Sequence, residues 1–367
     1  MESPFCMKNL SSRRLLYLYI TSFLVLAGSI FCLWYPNRSE LNEKHARKRV
    51  ENIHQLAWVY ANKGDFTKAQ TLFGESLELC RDFMEGSDPL MLSSLNNLGW
   101  TEKRIGNYVQ ALFYYNEAYN GREKHLGKSH RDTLITKVNL ASVYVERGDL
   151  THAEALYQDI LETRKAQFEP GHPDILSSMI HLGGFYRYSG QLELAKPFLL
   201  QATNLLVETL GSEADSTLQA FEELGALHMA EGNFADAHKL YVQVFEARKK
   251  QLELEHQDVL KVQETLGVIF RGMGRMDEAI EFQKSALAGR RKQFGYFHAL
   301  VASSLYNLGI TYVGMNELES ALEVFAQADT ICSHNLGEGH PWTMGIRSEI
   351  QNLQQRIQSP VGSVLDQ

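Results

Sequence analysis

The sequence predicts an all-α fold, a right-handed solenoid of seven helical hairpins stacked side by side. Three sets of residues recur at intervals of 42 and stay in phase through seven periods, which indicates an internal repeat. The first set is Leu56, Leu98, Leu140, Leu182, Leu224, Leu266 and Leu308, each followed by alanine or glycine. The second is Gly64, Gly106, Gly148, Gly190, Gly232 and Gly274, with Asn316 in the seventh place. The third is Ala69, Ala111, Ala153, Ala195, Ala237, Ala279 and Ala321.

Each set has a physical role in a helical hairpin. The spacing of Leu56, Ala57 and Tyr60 places them on one face of a first helix. The glycine ends that helix, because the residue after it needs a positive φ. The alanine is small where the second helix crosses the first. The residue after the glycine is expected to cap the second helix, as at Asp65, Asn107, Asp149 and Asn233.

One hairpin cannot bury its apolar face alone, so the repeats are expected to form one continuous array over residues 50–343. The ends of such an array need polar caps. The flanking segments are expected to be a short amino-terminal tail (1–14), a transmembrane helix (15–35), a juxtamembrane capping extension of the first helix (36–49), a carboxy-terminal capping helix (344–358) and a flexible tail (359–367).

The segment from Leu15 to Tyr35 has 21 residues and no charge. At about 1.5 Å per residue it is long enough to cross a hydrocarbon core of roughly 30 Å. A cleaved signal peptide is the alternative, with small residues at Ala27, Gly28 and Ser29 for a peptidase. The apolar run is longer than a usual signal-peptide core and continues past that site. The sequence therefore predicts a single-pass signal anchor.

The charges that flank this segment give two opposite predictions for its orientation. Three basic residues precede it and five follow it, which by the positive-inside rule favours cytoplasmic repeats. The short amino-terminal tail and the adjacent pair Arg13 and Arg14 favour the reverse arrangement. We expect the repeat domain on the non-cytoplasmic side, and the cytoplasmic alternative stays open.

Composition and motifs exclude several functions. A formal net charge of −8 argues against nucleic acid, which requires a basic surface. The sequence contains no HExxH, GxSxG, P-loop or strand-associated GxGxxG motif, so no enzyme activity, cofactor or small-molecule substrate is expected. The four cysteines form no CxxC pair. Cys80 and Cys332 occupy the same place in the first and last repeats, too far apart for a disulfide.

Histidines also follow the period of the repeat. Because they are distributed along the stack, three or four of them cannot converge on one metal ion, and no metal is expected. We expect them in the loops where first helices begin. They are His130, His172, His256, His298 and His340.

Short motifs within the repeats add a family resemblance. Asn96-Asn97-Leu98-Gly99, Arg122 to Gly127 and Gly171-His172-Pro173-Asp174 resemble tetratricopeptide repeats, in particular the kinesin light chain subclass. The resemblance covers about residues 50–343. It implies a helical array with a concave groove that binds peptides. The motor-binding coiled coil that precedes the repeats in that subclass is replaced here by the apolar segment 15–35.

Within the groove, the resemblance implies that the asparagine just before the conserved leucine clamps the backbone or the terminal carboxylate of a peptide. The residues in this place are Asn97, Asn139 and Asn307. Lys103, Arg104 and Arg187 follow on the same helix face and would attract an acidic group. Trp58 and Trp100 lie one repeat apart and are expected to form an aromatic shelf. Alternatively, the asparagines stabilise the stack and the tryptophans only pack.

The sequence thus predicts a membrane-anchored scaffold that binds peptide segments or partner proteins in its concave groove. The alternative is an assembly factor or chaperone for membrane-protein complexes that acts through the convex face or the ends of the stack. The expected partners are a protein or peptide and, through Leu15 to Tyr35, the membrane.

Overall fold

A computed structural model describes residues 43–358 of the chain. In that range the backbone forms fifteen α-helices and no strand, which confirms the predicted all-α class for this part of the chain. The helices are α1 Glu43–Asn62, α2 Phe66–Phe83, α3 Pro89–Ile105, α4 Tyr108–Leu126, α5 Arg131–Glu146, α6 Leu150–Gln167, α7 Pro173–Tyr188, α8 Leu192–Leu210, α9 Asp215–Ala230, α10 Phe234–Gln251, α11 Gln257–Gly272, α12 Met276–Phe294, α13 Ala299–Gly314, α14 Leu318–Leu336 and α15 Pro341–Gln358.

Successive helices pack in pairs that we number hairpins 1 to 7, from α1 with α2 to α13 with α14. The helix α15 packs on α14 and closes that end of the stack. Helix α1 is described from Glu43, inside the segment expected to extend it, and α15 begins at Pro341. The right-handedness of the array stays a prediction.

The turn inside each hairpin has the backbone conformation that its sequence predicts. Gly106 ends α3 with φ of 93°, in the left-handed region. Asn316 takes the same place in hairpin 7 with φ of 61°. Asparagine tolerates this region better than most residues that have a Cβ, which explains how it replaces glycine there.

The residue after the turn caps the second helix in three of the four expected cases. The side chains of Asp65, Asp149 and Asn233 accept the backbone N–H of Lys68, His152 and Asp236. Asn107 accepts no such bond, and its side-chain amide nitrogen donates to Glu102. Glu102 is buried, and Asn107 supplies part of its hydrogen bonding.

The predicted core residues are buried with one exception. All seven alanines of the repeat are fully buried, and the leucines from Leu98 to Leu308 are at most 5% exposed. Leu56 is 41% exposed. It lies on α1, the first helix that the structure describes, and no described helix precedes it to cover that face.

Buried arginines connect one hairpin to the next. Nη1 of Arg164, near the end of α6, donates to the carbonyl oxygen of Asp174 and to Oγ of Ser178, both at 2.8 Å. Arg122 and Arg290 make the same two contacts in their own repeats, with Thr136 and Ser304 as the hydroxyl partners. The arginine therefore fixes the end of a second helix to the first helix that follows.

The arginine and the hydroxyl are not both present at every equivalent place in the array. In hairpin 4 the pair is Leu206 with Ala220, and at the end of the array it is Cys332 with Ile346. At the place equivalent to Ser178, the partner of Arg248 would be Val262, which has no hydroxyl, and Arg248 binds the carboxylate of Asp215 instead. Polar and apolar versions of one contact thus both occur along the stack.

The predicted membrane segment 15–35, the tails 1–14 and 359–367, and residues 36–42 lie outside the described residues. Among residues 43–358, none of the helices combines the length with the hydropathy that a bilayer crossing requires.

Candidate peptide-binding groove

The first helices of the hairpins lie on the inner side of the array. Adjacent first helices contact each other, as α1 does α3 and α7 does α9, whereas adjacent second helices approach each other less closely. An array whose first helices are closer together than its second helices curves with the first helices inside. The sequence-predicted groove residues are all on first helices.

The two tryptophans form the predicted aromatic pair. The ring centroids of Trp58 and Trp100 are 4.9 Å apart, at an angle of 50°. Phe73 meets Trp58 edge-on at 5.7 Å, and Phe66 meets Trp100 edge-on at 5.9 Å. Trp58 remains 36% exposed. Phe73 and Phe66 hold the pair on one side, and the pair presents apolar surface to the groove of hairpins 1 and 2.

The three predicted asparagines are not equivalent. The amide of Asn139 donates to Oδ1 of Asn96 at 3.0 Å, and the amide of Asn307 donates to Oε1 of Glu264 at 3.2 Å. Each of these bonds joins a first helix to the one before it. Among residues 43–358, no hydrogen bond to the side chain of Asn97 is present. Asn97 is partly exposed, so its amide is available to a ligand.

The basic residues of hairpin 2 lie on the same helix, about two turns after this asparagine. Nζ of Lys103 donates to Oγ of Ser142 at 3.0 Å. Burial lowers the pKa of Lys103, and the nearby carboxylate of Glu146 opposes that shift. The guanidinium of Arg104 lies over the ring of Phe66, 5.1 Å from its centroid. Neither cation is paired to a carboxylate by a salt bridge among the described residues.

Arg187 is in a different situation. Its guanidinium forms an ion pair of 2.9 Å with Glu223 on α9, and both side chains are partly buried. The positive charge that the sequence placed in the groove is therefore neutralised by the next hairpin. The pair lines a cavity of about 210 Å³ together with His181, which stacks on Tyr157. Burial, helped by Arg164, lowers the pKa of His181.

The sequence matches the family model for the tetratricopeptide repeat at residues 49–124, 132–207, 174–250, 216–292 and 258–333. These matches cover well over half of the chain. The chain belongs to the tetratricopeptide repeat family. Arrays of this family are typical protein-interaction scaffolds. Among curated proteins, none matches the sequence significantly.

Solved structures with a similar fold include members of the predicted subclass. A putative kinesin light chain from Podosopora anserina with nearly identical TPR-like repeats shares 26% identity, with 56% of this chain and 98% of that chain covered and a TM-score of 0.49. BtubC (BKLC) from P. vanneervenii shares 20% identity, with 65% and 93% covered and a TM-score of 0.50. The apo form of RapI shares 12% identity, with 83% and 99% covered and a TM-score of 0.54. The likenesses to BtubC and RapI show the fold.

The histidines of the tetratricopeptide array have a role that their period alone did not reveal. Each of the five accepts a backbone N–H through Nδ1 at the start of a first helix or of α15, at 3.1 to 3.2 Å. A residue just before a helix is an N-cap when its side chain accepts a backbone N–H of the first turn, and asparagine and aspartate are common in this role. Asp88 takes this place in hairpin 2. In the described range, no group of histidine, cysteine and acidic side chains could hold a metal ion.

Proposed function

We propose that this protein is a membrane-anchored adaptor that binds an extended peptide in the groove of hairpins 1 to 3. The observation that carries the proposal is the uncommitted amide of Asn97, which shares α3 with Trp100 of the aromatic pair and, one turn beyond Trp100, with two cations. A side-chain amide donates and accepts, so it suits the backbone of an extended peptide. Trp58 and Trp100 would contact an apolar side chain of the ligand, and Lys103 and Arg104 an acidic group or a terminal carboxylate.

Hairpins 4 to 7 are less suited to this task. Arg187 is paired with Glu223, and the amide of Asn307 is bonded to Glu264. Arg271 donates to the backbone oxygen of Asn307, which fills the groove further at this place. The proposed binding segment is therefore shorter than the array, and Asn139, whose amide donates to Asn96, lies at its edge.

Peptides selected from a random 12-residue phage library on the immobilised full chain provide the ligand for the test. We expect Asn97→Ala to weaken binding of a selected peptide at least tenfold, about 1.4 kcal/mol, as loss of a well-placed hydrogen bond does. Asn97→Ala with Asn139→Ala is expected to weaken it more. The matched control is Asn307→Ala, in the same place of hairpin 7, which should leave the dissociation constant within about twofold.

Two results of this binding measurement would contradict the groove proposal. An unchanged dissociation constant for the double variant would show that the peptide binds elsewhere. An equal loss for Asn307→Ala and Asn97→Ala would show that the asparagines act only by stabilising the stack.

The anchor is the second part of the proposal. The uncharged segment from Leu15 to Tyr35 supports it, and the side of the membrane on which the repeats lie decides which partners are accessible. Protease added to intact membranes tests both points. A fragment of the size of the repeat domain that is protected until detergent is added would place the repeats in the enclosed compartment. Release of the chain from membranes by carbonate washing would contradict an anchor.

A second candidate function uses the outer surface. Val109 and Phe113 on α4 are 77% and 56% exposed, and they are one helical turn apart on a second helix. Such an apolar pair favours a protein partner bound outside the groove, as expected of an assembly factor. Val109→Ser with Phe113→Ser should then abolish co-purification of a partner and leave peptide binding intact. Loss of peptide binding instead would assign the pair to the groove-dependent function.

A further inference from the structure

The two ends of the array meet. Gly64 is in the turn of hairpin 1, and His298 is in the loop before α13 of hairpin 7. A methyl group placed on Gly64 would lie 2.1 Å from Nε2 and 2.8 Å from Cδ2 of His298. The imidazole therefore packs directly against the backbone of Gly64, which leaves no space for a side chain there.

The contact joins opposite edges of the stack. Gly64 belongs to a turn within a hairpin, and all such turns lie along one edge. His298 belongs to a loop between hairpins, and those loops lie along the other edge. The two edges can touch only if the array completes a superhelical turn between hairpin 1 and hairpin 7. We propose that this contact is a latch that closes the superhelix around its groove and that opens in acid.

The chemistry of His298 supports the acid response. Its Nδ1 accepts the N–H of Leu300 at 3.1 Å, so the neutral ring carries its proton on Nε2, the atom that faces Gly64. Its ring stacks on Phe294, with centroids 4.5 Å apart. A second proton would occupy Nδ1 and remove the acceptor that caps α13. Protonation would thus weaken the loop that carries the latch.

The charged groups around the imidazole oppose a second proton. The positive charges of Arg290 on α12 and Arg104 on α3 repel a protonated imidazole at His298. Arg290 also forms an ion pair with Glu264. On the hairpin 1 side, Lys63 and Asp65 flank Gly64, and the carboxylate of Asp65 is bound by Lys68. The loop of His298 also contacts His334, through Phe297.

The direction of the pH dependence follows from these surroundings. Burial, then Arg290 and Arg104, lower the pKa of His298 below its ordinary value of 6.5. At a pH where the imidazole of His298 is neutral in both the closed and the open array, its protonation does not oppose closure. The latch is therefore fully stable above about pH 6.5 and weakens as the pH falls below that value, because the open state takes up the proton more readily.

Spin labels at Thr67 and Gln293, attached through non-natural residues in the full chain in detergent, measure the distance between the two ends. Both positions are exposed, and each is close in sequence to one side of the latch. We expect one short distance at pH 7.5 and a second population, longer by about 10 Å or more, at pH 5.5, since opening separates the ends by at least a helix diameter. A distance distribution that is the same at both pH values would overturn the acid response.

Two pairs of matched variants separate the latch from local effects. His298→Asn keeps a capping side chain and should show the longer distance at both pH values, whereas His256→Asn, the same change one repeat earlier, should behave as the unmodified chain. Gly64→Ala should open the array at pH 7.5. Gly148→Ala is the control, because Gly148 has nearly the same φ, 76° against 78° for Gly64, so both changes strain the backbone equally. Nothing lies within 4 Å of the methyl group added at Gly148, so this variant should leave the array closed. Equal distances for Gly64→Ala and Gly148→Ala would contradict the latch.

Discussion

At the scale of single residues, the buried arginines provide the most specific contacts between hairpins. Arg164 is 5% exposed, and burial lowers its pKa, partly offset by Asp174. Its two hydrogen bonds go to the buried hydroxyl of Ser178 and to the carbonyl oxygen of Asp174, which also accepts from that hydroxyl. The cost of burying the guanidinium is balanced only while both acceptors are in place.

Replacement of Arg164 tests this balance. Arg164→Leu is expected to lower the free energy of unfolding around α6 and α7 by about 1–3 kcal/mol, because it leaves the buried hydroxyl oxygen of Ser178 without a donor. Adding Ser178→Ala creates the Leu–Ala pair that hairpin 4 has at Leu206 and Ala220, and should recover part of the loss. Hydrogen exchange of the α6 and α7 amides measures both effects. Equal exchange in the single and double variants would show that the Ser178 hydroxyl costs no stability when Arg164 is absent.

At the scale of helices, the first turn of most first helices depends on an imidazole. His172 caps α7 through Nδ1 and stacks on Phe168 with ring centroids 3.9 Å apart. The loop therefore uses one side chain for two purposes, an acceptor for the helix and an apolar surface for the end of α6. Asparagine would supply the first of these and not the second.

We expect His172→Ala to lower the stability of the first turn of α7 by about 1 kcal/mol, the usual value of an N-cap. His172→Asn should restore most of it. The measurement is hydrogen exchange at Asp174 and Ile175, near the start of α7. His125→Ala is the control, since that exposed histidine lies at the end of α4 and caps no helix start. A similar increase in exchange at α7 in the control would point to a general loss of stability.

At the scale of the whole molecule, the array is stabilised by contacts between neighbouring hairpins, and its ends require a cover. At the carboxy-terminal end α15 supplies it, with Ile346 and Leu353 no more than 1% exposed. Arg347 adds hydrogen bonds to Asp329 and Ser333 on α14. The closing helix is therefore part of the core of hairpin 7.

Ile346→Asp with Leu353→Asp should detach this helix, because two carboxylates cannot be buried in its apolar interface. Hydrogen exchange is expected to increase first in α13 and α14, while hairpins 3 and 4 keep their protection, as the near-neighbour stability of a repeat array requires. Met344→Asp, at a position that is 58% exposed on the same helix, is the control. Uniform loss of protection along the chain would show that the array unfolds as one unit.

The predicted site was only partly accessible to sequence analysis. The contact between Trp58 and Trp100 followed from their spacing of one repeat, because stacked hairpins place equivalent residues side by side. The ion pair of Arg187 with Glu223 did not follow in the same way. Those two residues are at different positions of their repeats, and their approach depends on the angle between adjacent first helices.

The 42-residue period by itself determined the hairpins, their turns and their buried alanines, because local backbone preferences and near-neighbour packing repeat whenever the sequence does. It also indicated which helix face would line a groove. Only the tertiary structure decided which groove residues are already occupied and that Gly64 meets His298. That meeting depends on the small rotation between successive hairpins, which accumulates over the whole array and is encoded in no single repeat.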